Sequence, residues 1–119
     1  MMRTEERTTM KRLTPEVGLY ANLAMYSDAF PFEIVKIVSA KTIEIRSMEA
    51  TLDPSWKPEM IPGGFCAHTT NQDSQRWTYE SKPTAHVFRA RRRKDGYFHS
   101  KQGRHLISDH PVRFHDYNF

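Results

Sequence analysis

The residues of this chain whose types and spacing could do chemistry fall into two groups. The first is Pro62-Gly63-Gly64-Phe65-Cys66-Ala67-His68-Thr69-Thr70-Asn71-Gln72, followed closely by Gln75-Arg76-Trp77-Thr78-Tyr79-Glu80. Paired glycines open backbone conformations closed to other residues and let a ligand approach the chain closely. Around them Phe65 and Trp77 can stack on a ring, while His68, Asn71 and Gln72 can read its polar edges. On an extended chain Tyr79 shares a face with Trp77. This mixture reads as a recognition loop rather than a simple connection.

The second group is basic. Between Phe88 and Arg104 stand Arg89, Arg91, Arg92, Arg93, Lys94, Lys101 and Arg104, opposed by one acid, Asp95. If residues 87–93 are extended, Arg89, Arg91 and Arg93 project from one face. Like charges so close repel, so anions beside them are stabilising. Guanidinium groups bind phosphate in a two-pronged fork and stack on ring faces. Arginines next to aromatics are the combination that holds a nucleotide, with phosphates held by charge and a base by stacking. The plainer alternatives are a solvated basic face and core roles for Trp77 and Tyr79.

Catalytic and metal chemistry is poorly supported. Cys66 and His68 are two soft ligands, whereas a structural zinc needs four and a catalytic zinc three. His99, His105, His110 and His115 lack ligand spacing, and the neighbours His115 and Asp116 point to opposite faces of a strand. Nucleophile elbow, phosphate-binding glycine loop and paired-carboxylate motif are all missing from the sequence. No catalytic residue, metal ligand or cofactor is therefore expected.

Positioning these groups falls to a small scaffold. A chain of 119 residues with 38% hydrophobic content and formal net charge +4 supports one modest core. A small sheet of this kind gains from assembly, so a homo-oligomer (dimer or higher) is expected. No apolar run reaches bilayer length, the first residues are charged, and Cys66 is the only cysteine. These features predict a cytoplasmic protein without a membrane partner.

Breakers divide the chain. Residues 1–16 read as an arm or short helix, and residues 17–119 as a single β-rich ligand-binding domain. Strands are expected over 19–25, 32–38, 42–48, 76–80, 85–90, 97–99 and 105–108. In 42–48, Ile43 and Ile45 face one side and Glu44 and Arg46 the other. Pro54, Pro58 and Pro62 punctuate a long loop in which Trp56, Met60 and Ile61 should favour order. Lys94-Asp95-Gly96 marks a turn. The fold class is α+β, predominantly antiparallel β: a small single-domain sheet or partly open barrel with a short N-terminal helix or arm.

The residues also carry a resemblance. Ala50-Thr51-Leu52-Asp53-Pro54, then Pro62-Gly63-Gly64-Phe65 with His68, Asn71-Gln72, Gln75 and Trp77-Thr78-Tyr79-Glu80, is similar to a group of small phage proteins. Tyr26-Ser27-Asp28, the strand 42–46, the basic stretch and the ending Asp116-Tyr117-Asn118-Phe119 extend the likeness over about 17–119. The pattern resembles the first-described anti-Thoeris family, phage sponges that sequester cyclic ADP-ribose immune signals. The resemblance implies a β-rich oligomer in the cytoplasm of the infected bacterial host, holding a cyclic nucleotide without cleaving it. On matching positions it implies Phe65, Asn71, Arg89 and Arg91 as ligand-holding residues. Members with a second, cyclic-dinucleotide site carry a basic residue after the Ser-Asp turn, where this chain has Ala29 and Phe30. The rivals are a nucleic-acid-binding module, an inhibitor of a host defence protein, and an enzyme acting on cyclic nucleotides.

Overall fold

The computed structural model describes residues 13–61 and 68–118, without the side chain of His68. It is built from ten strands and one short 3-10 turn. The strands are β1 (Tyr20–Met25), β2 (Asp28–Phe30), β3 (Phe32–Ser39), β4 (Thr42–Leu52) and β5 (Met60–Ile61). They continue as β6 (His68–Thr69), β7 (Trp77–Ser81), β8 (Val87–Arg92), β9 (Phe98–Ser100) and β10 (Gly103–Ser108), with the turn at Gln72–Ser74.

Six strands close a barrel in the order β1-β3-β4-β8-β9-β10, and β10 returns to pair antiparallel with β1. The expected partly open barrel is thus closed. Closure satisfies the backbone groups that an edge strand would leave exposed. The described residues contain no α-helix, so the α+β expectation reduces to antiparallel β. Most of the expected arm lies outside the described residues.

Alternation places the core. Ile43 and Ile45 of β4 are fully buried, and their neighbours Ala90, Ile34 and Phe32 join Ala21, Leu23 and Phe98 inside the barrel. Glu44 and Arg46 point outward, where Arg46 bonds Glu33 through Nε (3.1 Å) and Nη2 (2.9 Å). Two register shifts in the β3–β4 pairing, between Ile34 and Lys36 and between Ile37 and Ser39, mark bulges of the kind that bend a strand enough to close a barrel.

β4 has a second task. Residues 42–47 pair within the barrel, whereas Met48–Leu52 leave it and pair with β7. The 11-residue strand therefore links the barrel to the loop that follows. Trp56 of that loop is buried, as its apolar bulk requires, but Met60 and Ile61 stay more than half exposed. Their burial is not what orders the loop; hydrogen bonds do that, as described below.

His105 is the unexpected core residue. It is fully buried, edge-on to the Phe32 ring at 5.1 Å. Its Nδ1 donates to the Ala21 carbonyl (2.8 Å), leaving Nε2 to accept from Ser100 Oγ (2.7 Å). Burial pushes the imidazole pKa below its ordinary value, because the cation would lose its hydration. Only the unfolded state then gains the proton near pH 6. Stability is complete above about pH 6.5 and falls by about 1.4 kcal/mol per pH unit below it, down to the lowered folded pKa. Urea midpoints should drop through this window for the native protein and drop distinctly less for His105→Gln. Equal pH slopes would assign acid sensitivity to other groups.

Candidate functional site

The basic strand and the loop motif occupy opposite ends of β4. Arg91 pairs with Thr42 and Arg89 with Glu44, at the start of β4. Trp77 pairs with Leu52 and Tyr79 with Ala50, at its far end. Thr42 and Leu52 are separated by on the order of 30 Å at roughly 3.3 Å per residue. Within the chain the structure brings Arg89 and Arg91 together, and brings Asn71, Gln72, Trp77 and Tyr79 together. It does not bring the two sets together.

Arg89 and Arg91 project from the outer face of β8, because the intervening Ala90 faces the core. Arg89 Nε lies 3.2 Å from Glu44 Oε2, an ion pair within the protein. The Arg91 side chain has no hydrogen-bond or ion-pair partner among the described residues. Arg93 departs from the expected alternation. β8 ends at Arg92, and Arg93 opens the following turn, donating to the Tyr97 carbonyl and accepting from Gly96 N–H. Gly96 adopts φ +85° there, a conformation that favours glycine. Asp95 holds the turn by accepting from Tyr97 N–H and lying 2.8 Å from His99 Nε2. The first of these bonds is the main reason that its carboxyl pKa is lowered.

At the other end, amides and aromatics tie backbone to backbone. Asn71 accepts from Glu59 N–H (2.7 Å) and donates to the Lys57 carbonyl (2.9 Å). Gln72 Oε1 accepts from Tyr117 N–H. Gln75 holds both backbone polar groups of His115 and also accepts from Trp77 Nε1 (2.7 Å). Tyr79 Oη accepts from Arg113 N–H (2.9 Å). Trp77 faces the Arg113 guanidinium, 5.0 Å from its ring centre, and Phe30 faces the same group at 4.4 Å. In this arrangement the Asn71 amide straps the loop to itself, and the amides of Gln72 and Gln75 tie it to the tail 110–118. The polar edges expected to read a ligand are largely engaged within the protein. Phe65, and the side chain of His68, lie outside the described residues.

Sequence reasoning missed Arg113, which stands between Val112 and Phe114 in a tail with no strand signature. It also missed Lys41 and the separate position of Arg92. In the sequence Lys41 and Arg113 were each one cation among 18, and Arg92 one member of the basic run.

Two further cavities frame the barrel. One of about 450 Å³ opens at its mouth, lined by Phe30, Phe32, Met48 and Leu23 with Lys82 and Arg113 among its polar walls. The other, about 430 Å³, lies at the turns and is lined by Lys41, Arg92, Arg93 and Lys94. Ser100 and His105 have the distance of a hydroxyl and its base, but the enclosed imidazole reaches no solvent. That pair is a core hydrogen bond. Among the described residues no cluster of three His, Cys, Asp or Glu side chains could hold a metal ion. Nor is any helix there long and apolar enough to cross a membrane. Comparison with protein families, curated proteins and solved structures finds no match to this chain.

Proposed function

We propose that this chain is a phage anti-defence protein that binds and sequesters a cyclic nucleotide immune signal of the cyclic ADP-ribose type, without cleaving it. The observation that carries this reading is the pair Arg89 and Arg91, both outward on one strand face, with the Arg91 side chain lacking an ion-pair partner among the described residues. A pyrophosphate bridging two guanidinium groups gains charge-assisted bonds worth roughly 1.5–3 kcal/mol each. Arg89 and Arg91 stand at the far end of β4 from Trp77 and Tyr79. The stacking face that the resemblance assigns to Phe65, worth about 1–3 kcal/mol per base, would therefore be supplied by a second copy of the chain. A sequestering protein needs tight binding and no activated nucleophile, and the residue inventory suits that task. The working form is a homo-oligomer in the cytoplasm of the infected bacterial host.

The test is capture and release. Purified protein is incubated with cyclic ADP-ribose isomers and cyclic dinucleotides, filtered, and the filtrate chromatographed before and after heat denaturation. Disappearance of one compound and its intact return on heating is the expected result. Conversion to a new compound would make the protein an enzyme. An untouched panel would overturn the reading and favour the nucleic-acid or host-protein alternatives.

A further inference from the structure

The two turns at one end of the barrel make a hollow with an unusual charge. Lys41 lies in the β3–β4 turn, and Arg92, Arg93 and Lys94 lie where β8 passes into β9. The turns are joined by a 2.8 Å bond from Arg92 N–H to the Lys41 carbonyl, which sets their spacing. The concavity of about 430 Å³ between them is lined by these four cations and by no acid. All four residues are exposed, and their side chains have no ion-pair partner among the described residues. The nearest carboxylate in sequence, Asp95, is committed elsewhere, to Tyr97 N–H and His99.

Four like charges around one concavity repel one another, and nothing within the described residues compensates them. A surface that needed only solubility would intersperse acids, as the outer face of β4 does with Glu44 beside Arg89 and Glu33 beside Arg46. The two arginines offer planar forks suited to phosphate oxygens, and the lysines offer mobile point charges. A ligand carrying several phosphate charges in a compact volume matches this hollow better than an extended one. A long polymer would track a groove and draw on cations along its whole path, whereas this hollow gathers its cations at one tip. Arg89 and Arg91 leave β8 on a different face from Arg92, so the hollow does not share their side chains.

We infer that the Lys41, Arg92, Arg93 and Lys94 hollow is an anion site for a compact polyphosphate group, separate from the Arg89–Arg91 face. The probe is inorganic tripolyphosphate, titrated calorimetrically into the full chain at low and moderate salt. One site per protomer is expected. Arg93→Ala/Lys94→Ala should weaken binding at least tenfold, and so should Lys41→Ala/Arg92→Ala. Arg89→Ala should leave it within twofold. All substituted side chains are solvent-exposed, and an unchanged melting temperature shows that the barrel persists. Unaltered affinity in both double variants would overturn the assignment. So would equal loss in Arg89→Ala, which would merge the hollow with the other face. Tighter binding of a single-stranded oligonucleotide, with several protomers per strand, would replace the compact ligand by a polymer. Because tripolyphosphate has no base, failure here is distinguishable from failure of cyclic-nucleotide capture.

Discussion

Arg113→Ala should destabilise the protein by about 3 kcal/mol. The guanidinium lies between the rings of Phe30 and Trp77 and its side chain is 16% exposed. Cation–ring attraction at a desolvated position is worth about 2 kcal/mol or more. Nη1 also donates to the carbonyls of Ala29 (3.3 Å) and Phe114, and alanine would leave both without it. Together these hold the tail across β2 and β7, next to the backbone bridge between Ala29 and Phe114. For a chain of this size the loss corresponds to roughly 10 °C in melting temperature. Arg113→Lys should recover less than half, since an ammonium keeps charge but has no plane to lie between rings. Thermal melts of the three proteins decide the matter. Full recovery in the lysine variant would reduce the role to charge alone.

Removal of Arg91, whose side chain has no ion-pair partner among the described residues, should have the largest effect on the proposed ligand capture. Arg91→Ala is expected to weaken binding of the proposed cyclic nucleotide roughly 50-fold, and Arg89→Ala roughly 10-fold, within the range of one or two charge-assisted bonds. The asymmetry follows from Glu44, which already holds Arg89 Nε at 3.2 Å and must share it with any incoming phosphate. Glu44→Gln should then tighten binding a few-fold, in keeping with an exposed ion pair worth about 0.2–1 kcal/mol. Equilibrium titration of the three variants gives the order. Unchanged capture in both arginine variants would remove this strand from the mechanism. A weakening in Glu44→Gln would show that the carboxylate positions Arg89 rather than competing for it.

How much of this was legible in the sequence depends on whether the determinant is local. The alternation at Ile43-Glu44-Ile45-Arg46 names its own inner and outer faces, and the structure places them accordingly. The Lys94-Asp95-Gly96 turn is equally local. The same signal carried information about Arg93 as well: a residue immediately before such a turn cannot continue a strand's alternation. Barrel closure was not readable, because the pairing of Tyr20 with Ser108 depends on strand twist and bulges accumulated around the whole sheet. Amides pose a different difficulty. Asn71 and Gln72 have the donors and acceptors to read a ligand or to hold a backbone, and only geometry separates the two uses. His105 was one scattered histidine in the sequence, with nothing local to mark it for the core. A carbonyl on one side and a hydroxyl on the other make its burial tolerable.

The β1–β10 seam also sets when this protein can fold. Every other pair in the barrel joins strands closer in the chain, but the seam waits for residue 108 to meet residue 20. At about 5–20 residues per second, synthesis separates those two residues by roughly 4–18 s. Throughout that interval the edge of β1 that β10 will cover stays unpaired, beside the apolar faces of Leu23, Phe32 and Ile34. Folding dominated by such distant pairings is slow, in the millisecond to second range even once the strands are present. Expression at high rate should therefore reward lower temperature or a holding chaperone, and chains cut before β10 should accumulate as aggregates rather than as smaller folded units.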